Sequence, residues 1–263
     1  MPTTYAHYRF GCDVIALMPE QLKSFINENR PIFDFGVHGP DLLFYYLPLF
    51  HNTVNRRGSL DHCRSGREFF QKAARAALGS TDPDAARCYL LGVLCHFMLD
   101  RECHPYVAEK EKSGASHSEI EASFDAYLME KDGLDPLRHN VTAHLHPSWK
   151  SAMIISDFYK PITPGQIHMA QQQMVLVLKG LIPTPGVKQT LLDTAIRVSR
   201  DEHLCDLFIK PQGNPACRDS DEILYDHYQE ALGHATQMIL ELGRLMDDGS
   251  PLGDRFDHTF GAE

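Results

Sequence analysis

Two stretches of this 263-residue chain carry metal-binding residue types at spacings that a helix turns into clusters. In YLLGVLCHFMLDRECHPY, His96 and Asp100 are four apart, and His104 follows after the same interval. Residues so spaced share one face of an α-helix, one turn along from each other. The surrounding Leu91, Val93, Leu94, Phe97, Met98 and Leu99 are apolar nearly all round, which predicts a buried helix. An aspartate in such a helix is costly unless paired or bound to a cation. In SGASHSEIEASFDAYL, His117 and Glu121 repeat the interval. Imidazole and carboxylate are both zinc ligands, so two such pairs on neighbouring helices can fill a coordination shell. A lone pair of this kind is more often a surface pair. Two of them within residues 96–121, one on an apolar helix, favour a metal.

Further positions join these by residue type. His7 lies in a short N-terminal helix, where core packing or exposure is the alternative. Asp41, in HGPDLLFYY, follows Gly-Pro and precedes an apolar run where an acid is poorly solvated; helix capping competes with ligation there. His62 precedes the helix bearing Phe69 and Phe70. Arg101 reads as a surface arginine within reach of a phosphate, and Phe44, Tyr45, Tyr46 and Phe50 as core packing or a pocket lining. His139, His144, His146, His227 and His234 read as solvated or structural.

The elements that must position these residues are helical. The 3.6-residue period predicts helices near 5–17, 19–29, 65–78, 84–100, 117–130, 147–159, 163–181, 186–199 and 219–246. Ser116 with Glu119 is a capping-box pattern that starts a helix at His117, and Pro105 is expected to stop the preceding one soon after His104. Residues 31–58 and 204–218 read as irregular. Few stretches alternate as strands do, so an all-α multi-helix bundle, one domain over residues 1–263, is expected. Its motif-bearing part is about 5–128, with 129–263 completing the bundle.

Composition bounds the function. With 43% hydrophobic and 23% charged residues the chain is ordinary globular material, not a disordered one. No apolar run is long enough to span a bilayer, and the N-terminus has no secretory pattern, so cytoplasmic residence is expected. The seven cysteines, irregularly spaced and without a CxxC pair, read as reduced thiols. A net charge of −10 argues against a protein that tracks nucleic acid or anionic membrane through a basic face, although bound cations would reverse the sign locally.

Taken in order, AHYRFG, GPDLLFYY, LDHC, GVLCHFMLDRECHPY and SHSEIE resemble the zinc-dependent phospholipase C family, over about 5–128. That family shares a helical superfamily with single-strand-specific zinc nucleases. The resemblance implies that Asp41, His62, His96 and Asp100 hold one zinc and His104, His117 and Glu121 a second. His7 and Asp100 would contribute to a third, with Asp100 bridging, and Asp41 would serve as general base. His51 competes with His62 for its place. His104 follows Asp100 at a shorter interval than in the family pattern. Secreted members complete the third site with an N-terminal tryptophan; this chain begins Met-Pro-Thr-Thr and its single tryptophan is Trp149, so two zinc ions are expected. The implied activity is hydrolysis of a small or lipid phosphoester by a metal-activated water. The competing readings are a nuclease on the same scaffold and a zinc-binding protein without turnover, serving as a structural or interaction module.

Overall fold

A computed structural model describes residues 4–181 and 217–261. The predicted helix at 186–199 and nearly all of the 204–218 stretch lie outside the described residues, as do Met1, Pro2 and Thr3. Helices dominate the described residues, as the all-α reading predicts. The chain runs through α1 (Thr4–Leu17), α2 (Glu20–Glu28), α3 (Arg30–Gly36), a 3-10 helix (Gly39–Tyr45), α4 (Thr53–His62) and α5 (Gly66–Leu78). It continues through α6 (Pro83–Glu111), α7 (His117–Lys131), α8 (Trp149–Ser156), α9 (Pro164–Leu181), α10 (Arg218–Asp248) and a closing 3-10 turn (Asp254–Asp257). Extended pairing among the described residues is confined to one bridge, Ser65 to Thr259. No helix among them is long and apolar enough to cross a membrane.

Local chemistry sets the boundaries. Ser65, Asp82, Ser116 and Ser148 accept N–H groups of the first turns of α5, α6, α7 and α8. At Ser116 the expected reciprocal box with Glu119 is formed. Helix α10 ends at Gly249, whose φ of 77° lies in the left-handed region. The start of α1 is capped across the molecule, because Asp125 on α7 accepts the N–H groups of Tyr5 and Ala6 at 3.0 and 2.7 Å.

Two expectations are corrected. Helix α6 does not stop at Pro105 but continues to Glu111. A proline inside a helix removes one backbone hydrogen bond and crowds the preceding turn, at about 3 kcal/mol. Here the turns on both sides of Pro105 are anchored by buried Cys103 and Val107, and α6 packs along α10, so tertiary packing overrides the local preference. The irregular reading of 31–58 also fails. That stretch holds most of α3, the 3-10 helix and the first half of α4, whose capping box uses two asparagines: Asn52 accepts from Val54 and Asn55 N–H, and Asn55 answers to the Asn52 N–H.

Helix α6 is the axis of the core, with α1, α3, α5 and α10 against it. Cys88 through Asp100 are buried without interruption. Glycine brings α3 and α6 together: a Cβ on Gly92 would stand 2.5 Å from the Phe33 carbonyl and 2.8 Å from the Gly36 Cα. One turn beyond, Phe97 joins Phe70, Phe256 and Phe260 in an aromatic cluster that backs the polar centre described next.

Candidate metal centre

All eight residues singled out from spacing and resemblance meet in one region. Helix α1 supplies His7, the 3-10 helix Asp41, α4 His62, α6 His96, Asp100 and His104, and α7 His117 and Glu121. Asp100 is the hub. Its Oδ1 lies 3.1 Å from His7 Nε2 and 3.6 Å from His104 Nε2, and its Oδ2 lies 3.0 Å from His96 Nε2 and 3.9 Å from His62 Nε2. Asp41 reaches His62 Nε2 through Oδ1 at 3.0 Å and faces His96 Nε2 through Oδ2 at 3.7 Å. Glu121 Oε1 stands 3.0 Å from His117 Nε2 and 3.5 Å from His104 Nε2. Ligand atoms of three groups fall within 4.8 Å of one another: His7, His96 and Asp100; Asp41, His62 and His96; His104, His117 and Glu121. His51, the competitor of His62, is exposed and outside these groups.

These contacts do not form a closed hydrogen-bond network. Asp41 Oδ2, Asp100 Oδ2, Glu121 Oε2, His7 Nδ1 and both ring nitrogens of His96 are buried without a hydrogen-bond partner. His96 Nε2 is within 3.0 Å of a carboxylate oxygen yet not aligned on it. A buried acceptor left unmatched costs about 1–3 kcal/mol, so a cluster of them needs an occupant. The spacing suits one: zinc with ligand bonds of about 2.0–2.2 Å in a tetrahedron has ligand atoms about 3.4 Å apart, the middle of the observed range.

Backbone carbonyls orient two of the rings. Gly58 O accepts from His62 Nδ1 at 2.8 Å, and Phe260 O from His104 Nδ1 at 3.0 Å. A carbonyl only accepts, so Nδ1 carries the proton and Nε2 is turned toward the carboxylates, the usual arrangement behind a metal-binding imidazole. A third ring is placed by absence of bulk: Gly39, at φ 48°, lies against His96, and a Cβ there would be 2.5 Å from its Cδ2. Neither carbonyl is visible in residue types; Phe260 lies 156 residues from His104.

The electrostatics follow from packing acids and histidines together. Burial alone would raise the Asp100 pKa, but His104, His96 and His7 outweigh it and hold the carboxyl well below its usual range. Glu121 is likewise lowered against its burial by His117 and His104. Burial opposes charging of His62, yet the hydrogen bond to Asp41 and its charge raise it to about 9. His7, His104 and His117 are raised in the same manner by Asp100 and Glu121. His96 runs the other way, its burial prevailing over Asp100 and Asp41.

Other candidates fall outside. Arg101 pairs with Glu102 at 3.0 Å. Tyr45 is core, Phe44 stacks on His62 at 5.5 Å, and Phe50 is exposed. Cys88, Cys95 and Cys103 are buried thiols, Cys63 is exposed, and none of them joins the three groups. His144 is buried rather than solvated and pairs with His38, a residue whose type alone gave no signal.

Compared with known protein families, the sequence matches the zinc dependent phospholipase C family over residues 6–162, more than half of the chain. It belongs to that family. The match runs from α1 past the end of α8, so all eight candidate ligands fall within it. Nothing among curated proteins or solved structures matches the chain. Zinc dependence and phospholipase C-like hydrolysis are thereby given at family level.

Proposed function

We propose that this member of the family is a zinc-dependent phosphoester hydrolase of phospholipase C type. Asp41, His62, His96 and Asp100 would hold one zinc, and His104, His117 and Glu121 a second. His7 with Asp100 would line a third position. The observation that carries the reading is the set of buried, unpartnered nitrogen and carboxylate atoms converging at coordination distances. Bound zinc supplies hydroxide at neutral pH and positive charge against the phosphoryl oxygens.

The chain's own groups do the rest. Asp41 would ligate zinc beside His62 through one oxygen; its second, buried and unpartnered, would take the proton from the attacking water. Gly58 O and Phe260 O fix the imidazoles so that they need not reorient as charge develops. His117, with its side chain 36% exposed, marks the open edge by which a phosphoester enters, whereas His7, His96 and Asp100 are sealed.

The test is hydrolysis of a p-nitrophenyl phosphodiester by the zinc-loaded protein. Turnover is expected, with Asp41→Asn reducing kcat by about 10²–10⁴. Metal-loaded protein without activity on any soluble or lipid phosphodiester would contradict the proposal.

A further inference from the structure

Helix α10 ends at Gly249, and the chain beyond it forms a strap across the start of α5. In LGDRFDHTF, the apolar Leu252, Phe256 and Phe260 recur every fourth residue, and all three are buried, the phenylalanines completely. Phe260 meets Phe97 and Phe69 edge-on at 4.8 and 5.1 Å between ring centres, and lies 6.0 Å from the rings of both His62 and His96. Polar contacts fasten the backbone. Arg67 donates to the Leu252 and Gly253 carbonyls at 2.6 and 3.0 Å and pairs with Asp257. The Gly66 N–H donates to His258 O at 2.7 Å, and Thr259 bridges to Ser65. A guanidinium presents its donors in a rigid fork, so one side chain holds the strap at three points.

These anchors deliver a single peptide unit, Phe260–Gly261, between two of the ligand groups. Its carbonyl accepts from His104 Nδ1 at 3.0 Å, and its N–H donates to the His62 carbonyl at 3.2 Å. His62 is the last residue of α4, where a helix leaves carbonyls without a partner of their own. The His62 ring is tied into the same helix through Gly58 O. A peptide unit is planar and stiff, so the His104 ring and the end of α4 hold a fixed relation while it is seated. Donation from its N–H also polarises the carbonyl that His104 uses. Residues 252–261 lie outside the span matched by the family, 6–162, so this contact is not part of what the family supplies.

We propose that the Phe260–Gly261 peptide is a positioning element that couples two zinc groups, and that the strap carrying it must be seated for either group to bind zinc tightly. Seated, it keeps the proton on Nδ1 of His104 and leaves Nε2 for metal. It also steadies the end of α4, so that His62 Nε2 stays beside Asp41 Oδ1 at 3.0 Å. Arg67 acts on zinc only through the strap. The inference rests on the hydrolase reading for the identity of the groups and deepens it by naming what holds them in register.

Gly261→Pro removes the N–H, and Gly261→Ala keeps it. A Cβ at Gly261 would stand 3.8 Å from His62 O and 3.9 Å from His104 Nδ1, so a side chain fits. Zinc affinity of the full-length chain is measured by competition with a chromogenic chelator, and the His104 Nδ1–H proton of the zinc-loaded protein is followed by NMR. Gly261→Pro is expected to weaken zinc binding by about 10–100-fold and to speed exchange of that proton, while Gly261→Ala restores wild-type behaviour. In a Glu121→Ala background, where the Asp41, His62, His96 and Asp100 group stays loaded, Gly261→Pro weakens the remaining zinc as well. Arg67→Ala acts in the same direction by a smaller factor, and decides the matter alone if the proline variant does not fold. Variants that unfold more readily yet bind zinc as wild type would overturn the proposal, leaving the strap a purely structural element. Unchanged affinity in the Glu121→Ala/Gly261→Pro protein would also overturn it, by confining the peptide's effect to His104. The expected zinc effects in a protein that hydrolyses no phosphodiester would leave this inference standing and remove the hydrolase reading. Hydrolysis by a protein whose zinc affinity none of these variants changes would do the reverse.

Discussion

Two groups of buried histidines stand back to back on either side of α1, and they behave oppositely. His7 turns into the polar centre with His96 and Asp100. Its neighbour Tyr8 stacks on His144 at 4.0 Å, and His144 meets His38 through Nε2 to Nε2 at 2.9 Å. The His38–His144 pair can satisfy itself when both rings are neutral, one donating and one accepting. Burial lowers both, His144 to about 3, which keeps them in that state. In the polar centre most rings are pushed toward the charged form by carboxylates, and several buried atoms have no hydrogen-bond partner at all. Burial of histidine therefore does not mark a metal site. Unmatched acceptors converging on a shared point do.

The largest expected effect breaks the first group alone. His96→Ala removes a ring that stands in two of the three candidate groups, so zinc content should fall by about half or more and phosphodiester turnover by about 10³-fold. Metal analysis beside a rate assay checks both. Glu121→Ala should act on one group only, lowering zinc by about one ion per chain and leaving the other group loaded.

Proton release sharpens the contrast. His62 is raised from 6.5 to about 9, so in the metal-free protein its ion pair with Asp41 stabilises fully below about pH 6.5 and fades as pH rises through 9. Zinc needs the neutral ring, so uptake at pH 7 should release about one proton or more and weaken as pH falls. Calorimetry in two buffers of different ionisation enthalpy measures this; uptake without proton release would contradict the assignment of His62.

The second group should respond only in stability. His144→Ala leaves His38 Nε2 buried without its partner, at about 1–3 kcal/mol, with zinc content unchanged. Denaturant unfolding beside metal analysis distinguishes the two groups in one experiment.

Smallest is a change remote from both groups. Burial raises Asp221 to about 7 despite the hydrogen bond from Ser123. Its folded pKa lies above the unfolded value, so stability is highest below about pH 4 and declines as pH rises through 7. Asp221→Asn should remove that slope and gain about 1 kcal/mol at pH 8, read from unfolding midpoints at pH 5 and 8.

Spacing made much of this legible. The four-residue intervals placed His96, Asp100 and His104 on one helix and His117 and Glu121 on the next, and the Ser116 box fixed where α7 begins. Other features depend on contacts between residues far apart, which a local pattern cannot carry. Pro105 signals a stop that the packing of α6 overrides. Helix α4 is polar, contains Gly58 and is capped by asparagines, so its period is faint. The carbonyls that aim His62 and His104 belong to residues whose side chains are irrelevant to the role. His38 becomes meaningful only opposite His144, 106 residues away.

The most direct test of the central claim is the zinc content of the purified protein after incubation with zinc at neutral pH, with His96→Ala and Glu121→Ala alongside. At least two zinc ions per wild-type chain are expected, and fewer in each variant. Absence of bound zinc in folded wild-type protein would contradict it, leaving the histidines and acids as a structural polar network.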